Sequence, residues 1–493
     1  MDYFEKLLLD QNQQRKIQIF SVFLEEPVAS KRTKRLKAEL DVSTPTRIQL
    51  ESEVKTHFEQ IVTVDKSPRA AYSEYIALQL DQAVAYQFVL FCLDRHNRTV
   101  NDFCEQFFVS LSTLQRRVEP LRSALKEFDL SINVGKGLFL GDEKKIRLFI
   151  FDLFYQLGQR GVVFPSPQLP FEEKLYQEIV DLFPFENELY RDKITKLGIK
   201  VTFTRIKHGF FAPSSRKYAV LAPMVTQLKT GIMAEALKEY PANIQTQEIQ
   251  LFCFFTMLGP FFHNDSEKVR KIYQLFHSHS NPSVLMARKF YRFIKKTSPS
   301  VYAAVSQNNI FLTNLYCIFY AFYVFGGTFP NLQYFLLTEK FEMGSYFKYL
   351  THEIRQFVEA GHDSKSFLDM SSEAKEFLIG ALSYVLIPYL EHRPKKLRLY
   401  FDTEYDYFFY QSFISSIIQL KFVGMVRDPQ IADVIITDRD MAQETKSLDK
   451  SVIPFRIEEL GNEARRVVDA IFDLVDFGKT IFIGGSLDDL SEE

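Results

Sequence analysis

The chain has 493 residues, 46% hydrophobic and 25% charged, with a formal net charge of −2. That balance excludes disordered, collagen-like and disulfide-scaffold classes and leaves a globular chain long enough for several domains. No global basic field is present, but the charge is uneven: residues 1–150 carry a net +1, residues 151–395 a net +5 and residues 396–493 a net −8.

The N-terminus, Met1–Lys16, lacks a basic stretch followed by an apolar run, so no signal peptide is expected. Arg15–Glu25 is predicted helical, ended by Pro27. Ser30 is positioned to cap a basic helix, Lys31–Leu40, whose Lys31, Arg32, Lys34, Arg35 and Lys37 form a cationic strip fit for phosphates. A solvated helix face looks the same in sequence. Asp41–Ser43 makes a turn, and Thr44-Pro45 opens a second helix with proline at a tolerated first-turn position. Thr46, Arg47 and Gln49 are expected outside; Ile48, Val54 and Phe58 inside. Glu51 and Glu53 repel phosphate, which confines contact to the first turn.

A clearer helix-turn-helix pattern follows. Ser73–Leu93 is predicted helical, with Ala77, Leu80, Val84 and Phe88 at three- and four-residue spacing. Thr99 caps a short helix ending near Phe108, and Val109–Leu111 turns the chain. Ser112 with Gln115 fits a capping box opening the next helix. Leu111, Leu114, Val118, Leu121 and Leu125 form its apolar face. Ser112, Thr113, Gln115, Arg116 and Arg117 occupy the other. Hydroxyls and guanidiniums reach phosphates, while Gln and Arg read base edges. Pro120 should end or kink this helix near Val118. Ile132 and Val134, then Leu138 and Leu140, flank Gly135-Lys136-Gly137, the signature of a hairpin. A helix-turn-helix followed by a hairpin is a winged unit, with Lys136 at the wing tip.

The stretch from Thr99 to Phe154 resembles the Mga-type regulators of Gram-positive bacteria. The residues that carry the resemblance are Asp102–Arg117, Phe128–Ile132 and Gly137–Arg147, above all the join Gly141-Asp142-Glu143 with Ile146-Arg147. The resemblance implies a multidomain, mainly α chain: a first helix-turn-helix at 1–65, a second, winged one at 66–160, helical domains similar to phosphotransferase-system regulation domains at 161–285 and 286–394, and an α/β domain with a parallel sheet at 395–493, similar to enzyme-IIB domains. It implies a transcriptional regulator, an activator acting on double-stranded promoter DNA. Its partners would be a second copy of itself bound through the C-terminal domain, phosphotransferase-system proteins and RNA polymerase. Histidines of the middle domains would accept phosphate. Among His208, His263, His277, His279, His352 and His362, the candidates are His208 and His352.

The middle region is rich in amphipathic runs: Phe171–Phe183, Tyr218–Glu239, Gln247–Leu258, Ser266–Phe276 and Glu373–Ile387. Leu251–Phe262 and Ile310–Gly327 are the most apolar stretches, but neither is a clean span, and both are predicted as buried helices. In the tail, strands are predicted at Lys396–Asp402, Lys421–Val426 and Ala432–Asp438, and helices at Glu404–Leu420 and Asn462–Val475, an alternation typical of a parallel α/β layer. Enzyme-IIB domains carry a phosphorylated cysteine after the first strand; here Asp402–Tyr405 holds none, so a docking or dimerisation role is expected instead.

Phe477–Thr480 resembles the end of a phosphate-binding loop, but Asp473 stands where a glycine is required. No metal-ligand, nucleophile or dinucleotide motif is present, so no enzyme activity, cofactor or metal is expected. Four separated cysteines without a CxxC suit a reduced, cytoplasmic protein. Two alternatives to a DNA-binding regulator remain open: an RNA-binding antiterminator-like regulator and a docking scaffold that binds no DNA.

Overall fold

The computed structural model describes residues 3–26, 28–62, 66–94, 98–166, 168–182, 188–257, 266–306, 309–330, 345–360, 370–386, 397–402, 413–414, 417, 423–437, 451–455, 466–471 and 474. The chain divides into two compact units. The first holds Met1–Leu285 with Tyr316–Phe335 and Ser364–Ala374; the second holds Met286–Leu315, Leu336–Asp363 and Lys375–Glu493.

The first unit opens with α1 (Tyr3–Leu8), α2 (Gln11–Glu25), α3 (Ala29–Glu39) and α4 (Thr44–Ile61). Local chemistry sets the starts. Asp10 and Gln13 form a reciprocal capping box on α2. Ser43 caps α4 by accepting from the Thr46 amide, and Pro45 lies in its first turn. Ser30, expected as a cap, lies inside α3, whose cap position is Val28 with no side-chain bond.

Helix α5 (Pro68–Asp81) starts from a Ser67 cap, and α6 (Val84–Leu93) follows at a bend of 71°. The single run expected over Ser73–Leu93 is therefore two helices. The break at Gln82-Ala83 carries no glycine or proline to announce it. Phe20 of α2 stacks on Tyr75 of α5, ring centroids 4.1 Å apart, and the Gln13 amide donates to the Gln79 carbonyl at 2.8 Å. The two N-terminal helical groups thus share one apolar core.

Next come α7 (Val100–Gln106), α8 (Leu111–Lys126), an antiparallel hairpin of β1 (Ser131–Asn133) and β2 (Leu138–Leu140), and α9 (Glu143–Gly158). The hairpin lies at the expected place, with Ile132 and Val134 buried, but the inward residue of β2 is Phe139, not Leu138 or Leu140, and Leu140 faces out. Gly137 has φ +59°, and a Cβ there would meet the Phe91 ring at 2.3 Å. Gly141 has φ +132°, and a Cβ would meet Leu130 at 2.5 Å. Both positions demand glycine on backbone and packing grounds together.

Further along, the described residues of the first unit form α10 (Glu172–Leu182), α11 (Glu188–Lys207), a 3-10 turn (Arg216–Leu221), α12 (Ala222–Leu228), α13 (Ile232–Ala236), α14 (Ala242–Met257) and α15 (Glu267–His277). The run expected over Tyr218–Glu239 is three short pieces. Pro223 sits in the first turn of α12, and Gly231 starts α13.

One ion cluster fastens α9 to α11 and α14. Arg147 donates to both oxygens of Glu248 at 2.6 and 3.1 Å, to the Phe210 carbonyl at 2.9 Å and to Glu143 at 3.0 Å. Arg205 donates to Glu143 at 2.7 and 2.9 Å, and the Ala212 amide donates to Glu248 at 2.6 Å. Arg147, Arg205 and Glu248 are all buried. Burial works against the Arg147 charge, but Glu248 and Glu143 together outweigh it and hold the guanidinium more firmly protonated than in water.

The second unit contains the helix Ser345–Glu359, where Phe357 packs edge-on against Phe290 and Arg355 pairs with Glu376. It also contains a four-stranded parallel sheet of β3 (Leu397–Asp402), β4 (Val423–Met425), β5 (Val434–Thr437) and β6 (Ser451–Pro454), in the order β4-β3-β5-β6. Strand β6 was missing from the sequence expectation. Leu399, Val434, Ile436 and Ile453 form its core with Phe413, Ile417, Val467 and Ile471. Most of the helix expected over Glu404–Leu420, part of that over Asn462–Val475, the residues Thr403–Tyr405 and the Phe477–Thr480 segment lie outside the described residues. Among the described residues, no single helix is long and apolar enough to cross a membrane.

Removing one partner of a buried, hydrogen-bonded ion pair typically costs about 3–5 kcal/mol, whereas replacing both with apolar groups of similar size is often neutral. Arg147→Ala should therefore lower the denaturant midpoint steeply. The double change Arg147→Met/Glu248→Leu should recover part of the loss, as read by chemical denaturation of the three proteins.

Candidate nucleic-acid interface

The winged unit is built around α8. Its buried face is Leu114, Val118, Leu121 and Leu125, packed on α6, α7 and β1. Leu111, expected on that face, is exposed because it is the first helical residue rather than part of the turn. The cap is Ser110, not Ser112: the Ser110 Oγ accepts from the Thr113 amide at 3.1 Å and lies 2.9 Å from the Ser112 hydroxyl and 3.0 Å from that of Thr113. The amides of Leu111 and Ser112 precede any intrahelical acceptor and, with the positive end of the helix dipole, suit a phosphate. Pro120 neither ends nor splits the helix. It sits on the exposed face, where water can replace the hydrogen bond it removes from the Arg116 carbonyl.

The turn before α8 follows a capped helix. Thr99 accepts from the Asp102 amide, and Asp102 accepts from the Thr99 amide at 2.6 Å. The Thr99 hydrogen bonds, with Arg98 adding a smaller share, hold the Asp102 carboxyl below its usual range. Phe108, in the turn, has φ +52° and is 96% exposed. A bulky side chain rarely takes that backbone region and rarely stands in water. Beside a reading helix, such a ring can contact a thymine methyl group. Sequence reasoning assigned Phe108 to the end of the preceding helix. The signal available was three aromatics in Phe103–Phe108, of which the structure buries Phe103, half-buries Phe107 and leaves Phe108 exposed.

The candidate reading residues divide sharply. Ser112, Gln115 and Arg116 are exposed, and Thr113 is half-buried. Arg116 makes no ion pair with a described residue. Arg117 does: it bonds Asp10, the α2 cap, at 2.8 Å, and so ties α8 to the N-terminal helices instead of facing outward alone. Lys136 is exposed at the wing tip, its amide held by Asn133.

In the first helical group, α4 turns Val54 and Phe58 inward as expected, but Leu50 and Arg47 complete that face and Ile48 does not. Arg47 is only 6% exposed and pairs with Glu51, while Ile48 is 57% exposed. Arg47, Leu50, Val54 and Phe58 keep the three- and four-residue spacing of one stripe, and Ile48 stands about 100° from it. Gln49 is exposed but bonds Glu53 at 3.1 Å, and Thr46 is half-buried beside the Ser43 cap. On α3, Arg32 lies over the Phe23 ring at 4.5 Å, and Arg35 pairs with Glu25 and Glu39. Lys31, Lys34 and Lys37 remain exposed.

His208 follows the end of α11, half-buried. His352 is exposed, with its Nε2 3.0 Å from the Gln356 amide nitrogen. His263 and His362 lie outside the described residues. Among the described residues, no cluster of His, Cys, Asp or Glu is arranged to hold a metal ion.

A short capped helix, a turn, an amphipathic helix with an outward polar first turn and a two-stranded wing define a winged helix-turn-helix module. Residues 68–154, from the first residue of α5 to within α9, match the family model of the Mga helix-turn-helix domain. That match suggests a DNA-binding regulator. No curated protein matches the chain.

The Ser110 cap is worth about 1 kcal/mol by the usual cost of truncating such a residue to alanine. Ser110→Ala should lower the unfolding free energy by that amount in a denaturant titration. Ser112→Ala, removing the residue first expected as the cap, should change it by much less.

Proposed function

We propose that the chain is a Mga-type transcriptional regulator that binds promoter DNA through the first turn of α8 and the wing, and activates transcription with RNA polymerase as its partner. The observation that carries this reading is the outward set Ser112, Gln115 and Arg116 on a helix whose opposite face is buried, inside the segment matching the Mga helix-turn-helix domain. The first helical group contributes backbone contacts through Lys31, Lys34 and Lys37, since its Arg47 is turned inward. Helices at the N-terminus, in place of a compact β-domain, weigh against the RNA-binding antiterminator reading.

The regulator works as a homodimer or higher oligomer assembled through the C-terminal α/β region, whose net charge of −8 keeps it off DNA. Phosphotransferase-system proteins deliver phosphate to His208 or His352. At His208 the added charge would fall at the C-terminal end of α11, where a helix disfavours anions, and would remodel that end.

Binding to a duplex from upstream of the chain's own gene should weaken steeply with salt. Arg116→Ala and Lys136→Ala should each reduce the slope of log affinity against log salt by about 1. Gln115→Ala should lose affinity mainly for the cognate sequence, and Arg117→Ala should leave the slope unchanged. A folded protein that binds no duplex at low salt would remove the reading. For regulation, His208→Asp and His208→Ala should differ in sedimentation and in promoter activation; identical behaviour would remove the phosphate switch at that residue.

A further inference from the structure

A cavity of about 430 Å³ lies between α6, α7 and the C-terminal end of α11. Its apolar wall is Leu90, Phe91, Phe103 and Phe107. Its polar wall includes Arg98, Ser166, Thr204, Lys207 and His208, and Asp94 is the one acid among the described lining residues. Size and lining match the usual small-molecule site, an apolar body of a few hundred cubic ångströms with a few convergent polar groups.

Two observations give the ligand a sign and a shape. Thr204 is buried, and its hydroxyl has no hydrogen-bond partner among the described residues. Buried hydroxyls are nearly always bonded, so this one marks a place for a missing partner. Around it stand two permanent cations, Arg98 and Lys207, against the single carboxylate of Asp94. The carbonyl end of α11, which would repel an anion, is partly closed by the Phe210 and Gly209 amides, bonded back to Arg205 and Ile206 at 3.0 and 2.9 Å. Facing this cationic side, the rings of Phe103 and Phe107 lie 4.5 Å apart and tilted, and Phe91 packs 5.3 Å from Phe103. Phe91 and Phe107 are half-buried and offer ring surface to a flat body, with the buried Phe103 packed behind them.

We propose that this cavity binds a small organic anion with a flat apolar body. The head, a phosphate, sulfonate or carboxylate, is held by Lys207, Arg98 and the hydroxyls of Thr204 and Ser166, and the body packs on Phe91, Phe103 and Phe107. The site stands apart from the DNA reading; only the consequence that an occupant bears on α7, one helix before α8, depends on it.

The probe is 1-anilinonaphthalene-8-sulfonate, an aromatic body with one anionic head, titrated by fluorescence into the full-length protein. One saturable site per chain is expected. Lys207→Glu should weaken it at least tenfold, Thr204→Val several-fold, and Leu90→Trp, which fills the apolar wall, should abolish it. Lys207 is exposed, and Lys207→Gln, which places no negative charge at the helix end, should keep the parent melting curve while still weakening the probe, and so serves as the control for folding. Phenyl phosphate should displace the probe at concentrations where inorganic phosphate does not. Unsaturable binding, or equal affinity in the parent, Lys207→Glu and Leu90→Trp proteins, would overturn the site. Equal displacement by inorganic phosphate would overturn the apolar body of the ligand.

Discussion

The buried pair of Arg147 and Glu248 governs the first unit because it joins two pieces that could otherwise fold side by side. Helix α9 closes the winged module, and α14 belongs to the helical region beyond it. Charges this deep are stabilised only when every donor and acceptor is met. Here Arg147 is met by Glu248, Glu143 and the Phe210 carbonyl, while Glu248 also takes the Ala212 amide. The geometry permits one seating of α9, since a shifted register would bury an unpaired guanidinium. What the cluster supplies is a unique docking of the reading module rather than a large net stabilisation. Glu5 and Arg160, bonded at 2.6 Å at the other end of α9, repeat the device on a smaller scale, and α1 packs against both α8 and α9.

That junction gives a physical meaning to the most specific piece of the sequence. Gly141-Asp142-Glu143 and Ile146-Arg147 contain no residue that reaches outward to DNA. Gly141 takes a conformation closed to other residues, Asp142 caps α9, Ile146 enters the core, and Glu143 and Arg147 build the ion cluster. The motif was legible as a signature, but its role was not. Its partners Arg205 and Glu248 are 62 and 101 residues away from Glu143 and Arg147 and carry no local pattern.

Other features were legible in proportion to how local their physics is. The hairpin, the Thr99 cap and the Leu114–Val118–Leu121–Leu125 stripe depend on neighbours within a turn, and they stand where periodicity placed them. The cap of α8 was misassigned because Ser110 and Ser112 are equivalent by residue type and differ only in which of them leaves the helix. On α4, Val54 and Phe58 face inward as expected, but their stripe continues through Leu50 to Arg47 and leaves Ile48 outside. The fates of the arginines were not legible at all. Arg116 faces outward, Arg117 meets Asp10, and Arg47 meets Glu51, yet each is a cation on an amphipathic helix. A partner distant in sequence, or one turn along, decides which guanidinium is held in an ion pair.

The last turn of α11 is where these threads meet. Arg205 points into the ion cluster beside Glu143, while Thr204 and Lys207 of the same turn, with His208 just after it, line the cavity against α6 and α7. Successive helical residues differ by about 100°, so one turn can serve both sides at once. That helix end is locked to α9, α7 packs on α8, and α9 reaches α8 through α1 and the shared core. Coupling between sites requires an element with differential contacts in two states, not mere closeness. The end of α11 holds a fixed anchor on one side and, on the other, the unsatisfied Thr204 hydroxyl and Lys207, with Arg98 lining the same cavity.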